Sequence, residues 1–379
     1  MESKRDVTRL WDAIINQYLE NDTSVSEIQT NGDLSIFLRQ GGKRKELPNA
    51  FRSMEEYRES IEYLIKRINK FAPENPRFLE EGTIYLNTGG LGRCHIVLPP
   101  VSLEPMVTIA RKTEDLTTLD DITYSGSMTS QMNQAIKSFV DIDLTITLSG
   151  STGSGKTTML EAITKLWDPK LRIGVVEDAP ELMLIQPNVT YLKSAVAKPG
   201  QPENETATLA WCVKQLNRMR VDKMIIGETR GEEFASFLTA ANSGNEGSLT
   251  TLHANNPRAC LQKMNQFINE AQSSPQRVIN QNIASTIDII IQLDKTIDGK
   301  YRTTAIEAVS RQLGNDESAT IATQPIFTYN EDTDDWTSHT LPDDLRNKLI
   351  KHGYDPMTFT KKEVENGQGL FGRPRLGGF

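Results

Sequence analysis

The chain has 379 residues, a hydrophobic fraction of 37%, a charged fraction of 24% and a formal net charge of -8. That length predicts more than one domain, and that balance excludes a disordered or fibrous polypeptide. The acidic sum weighs against nucleic acid as a partner, because such binding needs a basic face to displace counterions.

The first segment, MESKRDVTRLWDAI, carries no apolar core before a small-residue cleavage position, so a cytoplasmic location is expected. Val7, Leu10, Ile14 and Tyr18 recur at helical spacing. EIQT, an Asn31-Gly32 turn and DLSIFLRQ before Gly41-Gly42 predict a hairpin. Ser53 to Phe71 predicts the long helix of this region, with Tyr57, Ile61, Leu64 and Ile68 on one face and Ser53 and Glu56 in capping-box register. TIYLN and RCHIVLPPV predict two further strands, the second stopped by Pro99-Pro100. A strand at MVTIARK then passes into a polar, acidic stretch read as a linker.

A helix is expected near Ser130 to Val140, followed by the strand LTITLSG, a glycine-rich loop and the helix TTMLEAITKLW. RIGVVED, DKMIIGE and GSLTTLHA are short apolar strands, and their alternation with helices predicts a parallel sheet with active residues at the strand C-terminal ends. Pro325 to Thr340 reads as an acidic hairpin before a tail, FGRPRLGGF. The expected division is an N-terminal α+β domain over 1–108, a linker over 109–125, a larger domain of alternating strands and helices over 126–330 and a C-terminal acidic hairpin and tail over 331–379. The longest apolar run, Ile287 to Leu293, falls far short of the roughly 20 residues of a membrane span. Cys94, Cys212 and Cys260 have no metal or redox spacing and are expected to be buried thiols.

Gly150-Ser151-Thr152-Gly153-Ser154-Gly155-Lys156-Thr157, with Thr158 beyond it, fits G-x-x-x-x-G-K-[ST] between a predicted strand and a predicted helix. Glycines let the backbone curl so that successive N–H groups face a phosphate, where a Cβ would obstruct. Lys156 is then placed for the β/γ oxygens of ATP and Thr157 for Mg²⁺. Glu228 and Glu177 each end an apolar strand and are candidates for the metal-side acid and the base, with Glu181 near the second; the alternatives are a solvated strand end or a helix cap. Arg93, Arg111, Arg218, Arg220 and Arg230 are candidates to compensate transition-state charge, and His253 to sense the γ-phosphate.

On these motifs the chain resembles the secretion ATPases that power type II secretion, type IV secretion and type IV pili. VVEDAPEL looks like that family's Asp box, RMRVDKMIIGETRG its Walker B region and SGNEGSLTTLHANNP its His box, in the family's order. SEIQTNGDLSIFLRQGGK, GRCHIVLPPVS and TIARK are similar to the tight-adherence pilus and type IV secretion ring ATPases. The resemblance implies an α/β fold with a RecA-like P-loop NTPase core and a smaller α+β N-terminal domain, forming a ring. It also implies a homo-hexamer with nucleotide at the cleft between domains, peripheral at the inner face of the membrane on an inner-membrane platform protein. By resemblance Glu177 is the general base, Glu228 the Walker B acid that shares Mg²⁺ with Thr157, and Arg93 and Arg111 phosphate-facing; Arg220 and Arg230 match motif arginines. Asn245 departs from the family's Gly-His-x-Gly, which predicts a tuned site. The expected function is therefore an ATPase motor, against the alternatives of a nucleotide-switched assembly subunit with little hydrolysis or a nucleic-acid translocase.

Overall fold

The computed structural model describes residues 9–22, 24–40, 43–70, 79–85, 91–112, 117–178, 181–194, 207–272, 274–296, 299–311, 313 and 320–361. Val7, the Gly41-Gly42 turn, Ala179-Pro180 of the Asp box and the FGRPRLGGF tail lie outside the described residues. The chain forms two compact units, Met1–Thr117 with Arg172–Glu228, and Thr118–Leu171 with Thr229–Phe379. The fold is α/β, and no helix among the described residues is long and apolar enough to cross a membrane.

In the first unit, helix Leu10–Ile15 continues as a wider turn, Asn16–Glu20, and buries Trp11, Ile15 and Leu19. Helix Met54–Arg67 starts where the Ser53 side chain accepts the Glu56 N–H at 3.1 Å. Glu56 does not close the capping box: its carboxylate accepts the Arg52 N–H instead, one residue earlier. The predicted face Tyr57, Ile61, Leu64 and Ile68 is buried. It faces a seven-stranded antiparallel sheet in the order Lys43–Leu47, Ile36–Gln40, Val25–Thr30, Met106–Lys112, Leu91–Val97, Leu79–Tyr85, Asn69–Lys70. The edge strand KRKEL, nearly all charged, was not expected as a strand; it is exposed over most of its length, which suits an edge that must not attract further strands.

The same unit carries parallel strands Ile173–Glu177, Val189–Lys193 and Lys223–Thr229, with Val175 opposite both Tyr191 and Ile225. Helix Leu209–Arg218, capped by Thr208, presses Leu216 onto Gly174, where a Cβ would lie 2.5 Å from Leu216 Cδ1. That contact needs a glycine.

In the second unit, helices Leu119–Tyr124 and Ser130–Asp141 precede strand Ile146–Gly150 and helix Lys156–Thr164. The first of these lies in the stretch read as linker, and its Thr118 and Asp121 form a complete capping box. Strand Ile146–Gly150 is buried throughout and runs parallel to Leu249–Leu252 on one side and Ile289–Lys295 on the other, as expected of strands covered on both faces. Antiparallel strands Tyr301–Val309, Thr323–Asn330 and Asp335–Ser338 extend the row, and helix Asp343–Lys351 follows where only a tail was expected. Cys94, Cys212 and Cys260 are all free and buried, and burial pushes the Cys260 thiol up to about 12.

Candidate functional site

Apart from four arginines, the residues singled out by sequence fall into one group in each unit. In the second unit the fully buried strand Ile146–Gly150 delivers the chain to a loop whose Ser151, Thr152 and Gly153 are exposed while Ser154 and Lys156 are buried. Gly153 and Gly155 adopt left-handed φ of +73° and +94°, a conformation that side-chain-bearing residues rarely take. Gly150 is fixed by space: a Cβ there would collide with the Leu293 carbonyl oxygen and with Ser154 Oγ. These constraints turn the backbone sharply into helix Lys156–Thr164, whose first N–H groups have no partner within the helix and carry the positive end of its dipole.

Lys156 is the first residue of that helix, and its Nζ donates to the carbonyl oxygens of Gly150 at 2.9 Å and Ser151 at 2.8 Å. The His253 ring lies with Nδ1 at 3.3 Å from the same ammonium. His253 follows strand Leu249–Leu252, which pairs directly with Ile146–Gly150, so the sheet brings the two residues together over 97 positions of sequence. Lys263 Nζ donates to the His253 carbonyl and fixes that turn. The buried Ser154 hydroxyl has no hydrogen-bond partner among the described residues. Thr157 and Thr158 are half-buried on the first turn. Asn245 is buried between Gly244 and Gly247, both with positive φ, and its carbonyl accepts the Ser248 hydroxyl. A buried cation at the positive end of a helix dipole, beside glycine-exposed N–H groups, suits a polyphosphate.

In the first unit, Glu177 ends its strand buried, and its Oε1 accepts the N–H groups of Glu181 and Leu182, each at 3.1 Å. The carboxylate lies over Gly227, where a Cβ would come within 2.6 Å of Glu177 Cγ and 2.9 Å of Oε1. Ile226 and Val176 are register partners, so pairing of the two strands sets Gly227 beside Glu177. Glu181 in turn holds the Arg93 guanidinium in an ion pair. Arg93, Glu181, Glu177 and Gly227 thus form one continuous set, and Glu228 follows half-exposed on the same strand.

Arg111 is elsewhere. Arg93 is register partner to Ala110, and Arg111 to Gly92, so the two arginines project from opposite faces of the sheet. Arg111 shares the face of buried Val107 and Ile109, and its Nη2 donates to the carbonyl oxygens of Leu19 and Asp22 at the end of the first helical segment. The Arg230 side chain is exposed; its backbone N–H donates to Glu233. Arg218 and Arg220 are exposed at the end of helix Leu209–Arg218 and just beyond it. Among the described residues no cluster of three or more His, Cys, Asp or Glu is grouped to hold a metal. A Mg²⁺ that keeps most of its waters and borrows nucleotide oxygens needs only a hydroxyl such as Thr157 and one carboxylate, so the residues present fit it.

Glu181 as the partner of Arg93 and Gly227 as the floor under Glu177 were not legible in the sequence: the first pairs residues 88 positions apart, and the second is a missing side chain.

The profile of the family described as "Type II/IV secretion system protein" matches residues 12–329. A probable conjugal transfer protein TrbB from Sinorhizobium fredii is 31% identical over 207 residues, 54% of this chain and 60% of the relative. A type IV secretion system protein VirB11 from Bartonella henselae is 35% identical over 179 residues, 46% of this chain and 48% of the relative. The matched region therefore spans about 60% or less of the length of these relatives. Among solved structures, the Legionella pneumophila ATPase DotB matches with TM-score 0.58 at 16% identity, covering 95% of this chain and 87% of that one. The pilus retraction motor PilT with bound ADP matches with TM-score 0.57 at 15% identity, covering 78% and 81%. At such identities these two structures speak for the fold alone.

Proposed function

The chain belongs to the type II/IV secretion system protein family, and from that premise we propose that it is a MgATP-hydrolysing motor subunit of a type IV secretion or conjugation machine. The observation that carries the reading is the glycine-turned loop that ends on buried Lys156 at the start of its helix. In this assignment the backbone N–H groups of residues 153–158 and the Lys156 ammonium hold the β- and γ-phosphates. The Thr157 hydroxyl, with Glu228 as the metal-side acid, would hold Mg²⁺, which when bound would supply charge neutralisation at the phosphate oxygens. Glu177 takes the proton of the attacking water, its carboxylate held by two backbone N–H groups. His253 reports on phosphate through its contact with Lys156.

Of the arginines, we assign Arg93 toward the phosphates, because it is exposed and its ion pair with Glu181 lies at the surface, where exchange costs little. The Arg111 guanidinium is committed to two carbonyl oxygens on the core face of its sheet, and we assign it a structural role. Arg230 remains a candidate contact to a neighbouring subunit. The working assembly we propose is a homo-hexamer, peripheral to the membrane on a platform protein, in which an N-terminal domain over 1–108 moves on the 109–125 linker against the 126–330 ATPase core, with 331–379 appended.

Phosphate release from MgATP tests the reading. The wild type should turn over, and Lys156→Ala should lose about a hundredfold or more. A Lys156→Ala protein with full turnover would sink it. Asn245 in place of the family's histidine favours a second reading, a nucleotide-switched assembly subunit, which predicts tight ATP binding without steady-state phosphate release.

A further inference from the structure

A phosphate loop grips the end of a nucleotide that all nucleotides share, so affinity for the nucleoside must come from groups beside the turn. Within the second unit that neighbourhood is set by strand Ile289–Lys295, where Leu293 is register partner to Gly150 and its carbonyl abuts the loop. Two residues further on, Lys295 pairs with Tyr301 at the open end of the antiparallel pair. The Tyr301 ring reaches back to the loop: a Cβ on Gly155 would lie 3.8 Å from its Cδ1. Lys295 Nζ sits 5.4 Å from the ring centroid, a cation–π contact that restrains the ring. Yet the residue is 48% exposed, and its hydroxyl makes no hydrogen bond among the described residues.

A large aromatic at a strand end normally buries its ring or anchors its hydroxyl. Tyr301 does neither fully, and it stands against the residue just ahead of Lys156 in a loop whose buried Ser154 hydroxyl is itself unpartnered. We propose that Tyr301 is the stacking platform for the base of the nucleotide whose phosphates the loop holds. The inference rests on the nucleotide reading above and adds the group that recognises the nucleoside. Every base has a π-face, so the platform binds ATP and GTP alike and does not choose between them.

The test is calorimetric titration of the full chain, in Mg²⁺ buffer, with ATP and with inorganic tripolyphosphate. Tyr301→Ala and Tyr301→Leu should raise the Kd for ATP about fivefold to a hundredfold, while the Kd for tripolyphosphate moves less than about twofold. Tyr301→Phe should bind ATP as the wild type does, and the Leu variant keeps apolar bulk at the loop in case the Ala variant folds poorly. Wild-type ATP affinity in both truncated variants overturns the platform and leaves the phosphate site standing. Equal weakening toward ATP and tripolyphosphate also overturns it, because Tyr301 would then shape the loop. A wild type that binds neither ligand overturns the nucleotide reading together with the platform.

Discussion

A lysine that is 8% exposed at the first position of a helix is a poor choice for stability alone, since the positive end of the helix dipole repels it and burial strips its water. Two carbonyl oxygens hold it there, and a bound polyphosphate is the partner that would repay the arrangement. Lys156→Ala should therefore melt no lower than the wild type, or higher, while losing ATP binding; a thermal scan with and without MgATP measures both. Gly227 carries the complementary argument. A methyl group at 227 must displace the Glu177 carboxylate, so Gly227→Ala should lower kcat by about tenfold to a hundredfold with little change in ATP affinity. The loop glycines and Lys156 were readable as a pattern because that pattern is local. The split between Arg93 and Arg111 was not, because it depends on strand register: one position of alternation sends Arg111 into the core face and leaves Arg93 in solvent. Arg111→Ala, which strands the Leu19 and Asp22 carbonyls, should cost about 1–3 kcal/mol in urea unfolding.

At the scale of elements, the long amphipathic helix and the apolar strands announced themselves through periodicity, and Tyr57, Ile61 and Leu64 are buried as their spacing requires. The elements that escaped are short or polar. Leu119–Tyr124 has only six residues and is held by its capping box, and Asp343–Lys351 buries little beyond Leu345 and Leu349. The terminal hairpin makes a prediction of its own. Asp334, at left-handed φ +48°, accepts from the Tyr329 hydroxyl and pairs with Arg302, and these partners hold its carboxyl down to about 2. A folded pKa below the unfolded value of about 3.9 stabilises the fold above that pH, and the contribution fades as pH falls toward 2. Asp334→Asn, which tolerates the same backbone, should lower Tm at neutral pH and flatten its fall between about pH 4 and 2. An unchanged pH profile would show that the carboxylate contributes nothing there.

At the scale of the molecule, composition excluded disorder and the motif order gave the family, which the profile match over 12–329 shows. What linear reading could not supply is that residues 172–228 group with residues 1–117, while 118–171 group with 229–379. Such grouping depends on long-range pairing, which no local pattern encodes. The ring assembly belongs to this scale as well: light scattering in MgATP should give six times the chain's 42.4 kDa, and a monomer under all conditions would remove the hexamer. The central claim is hydrolysis of ATP with Glu177 as the base, and steady-state phosphate release by Glu177→Gln at saturating MgATP tests it most directly. The account predicts a loss of about a hundredfold or more with ATP still bound; turnover equal to the wild type would contradict it.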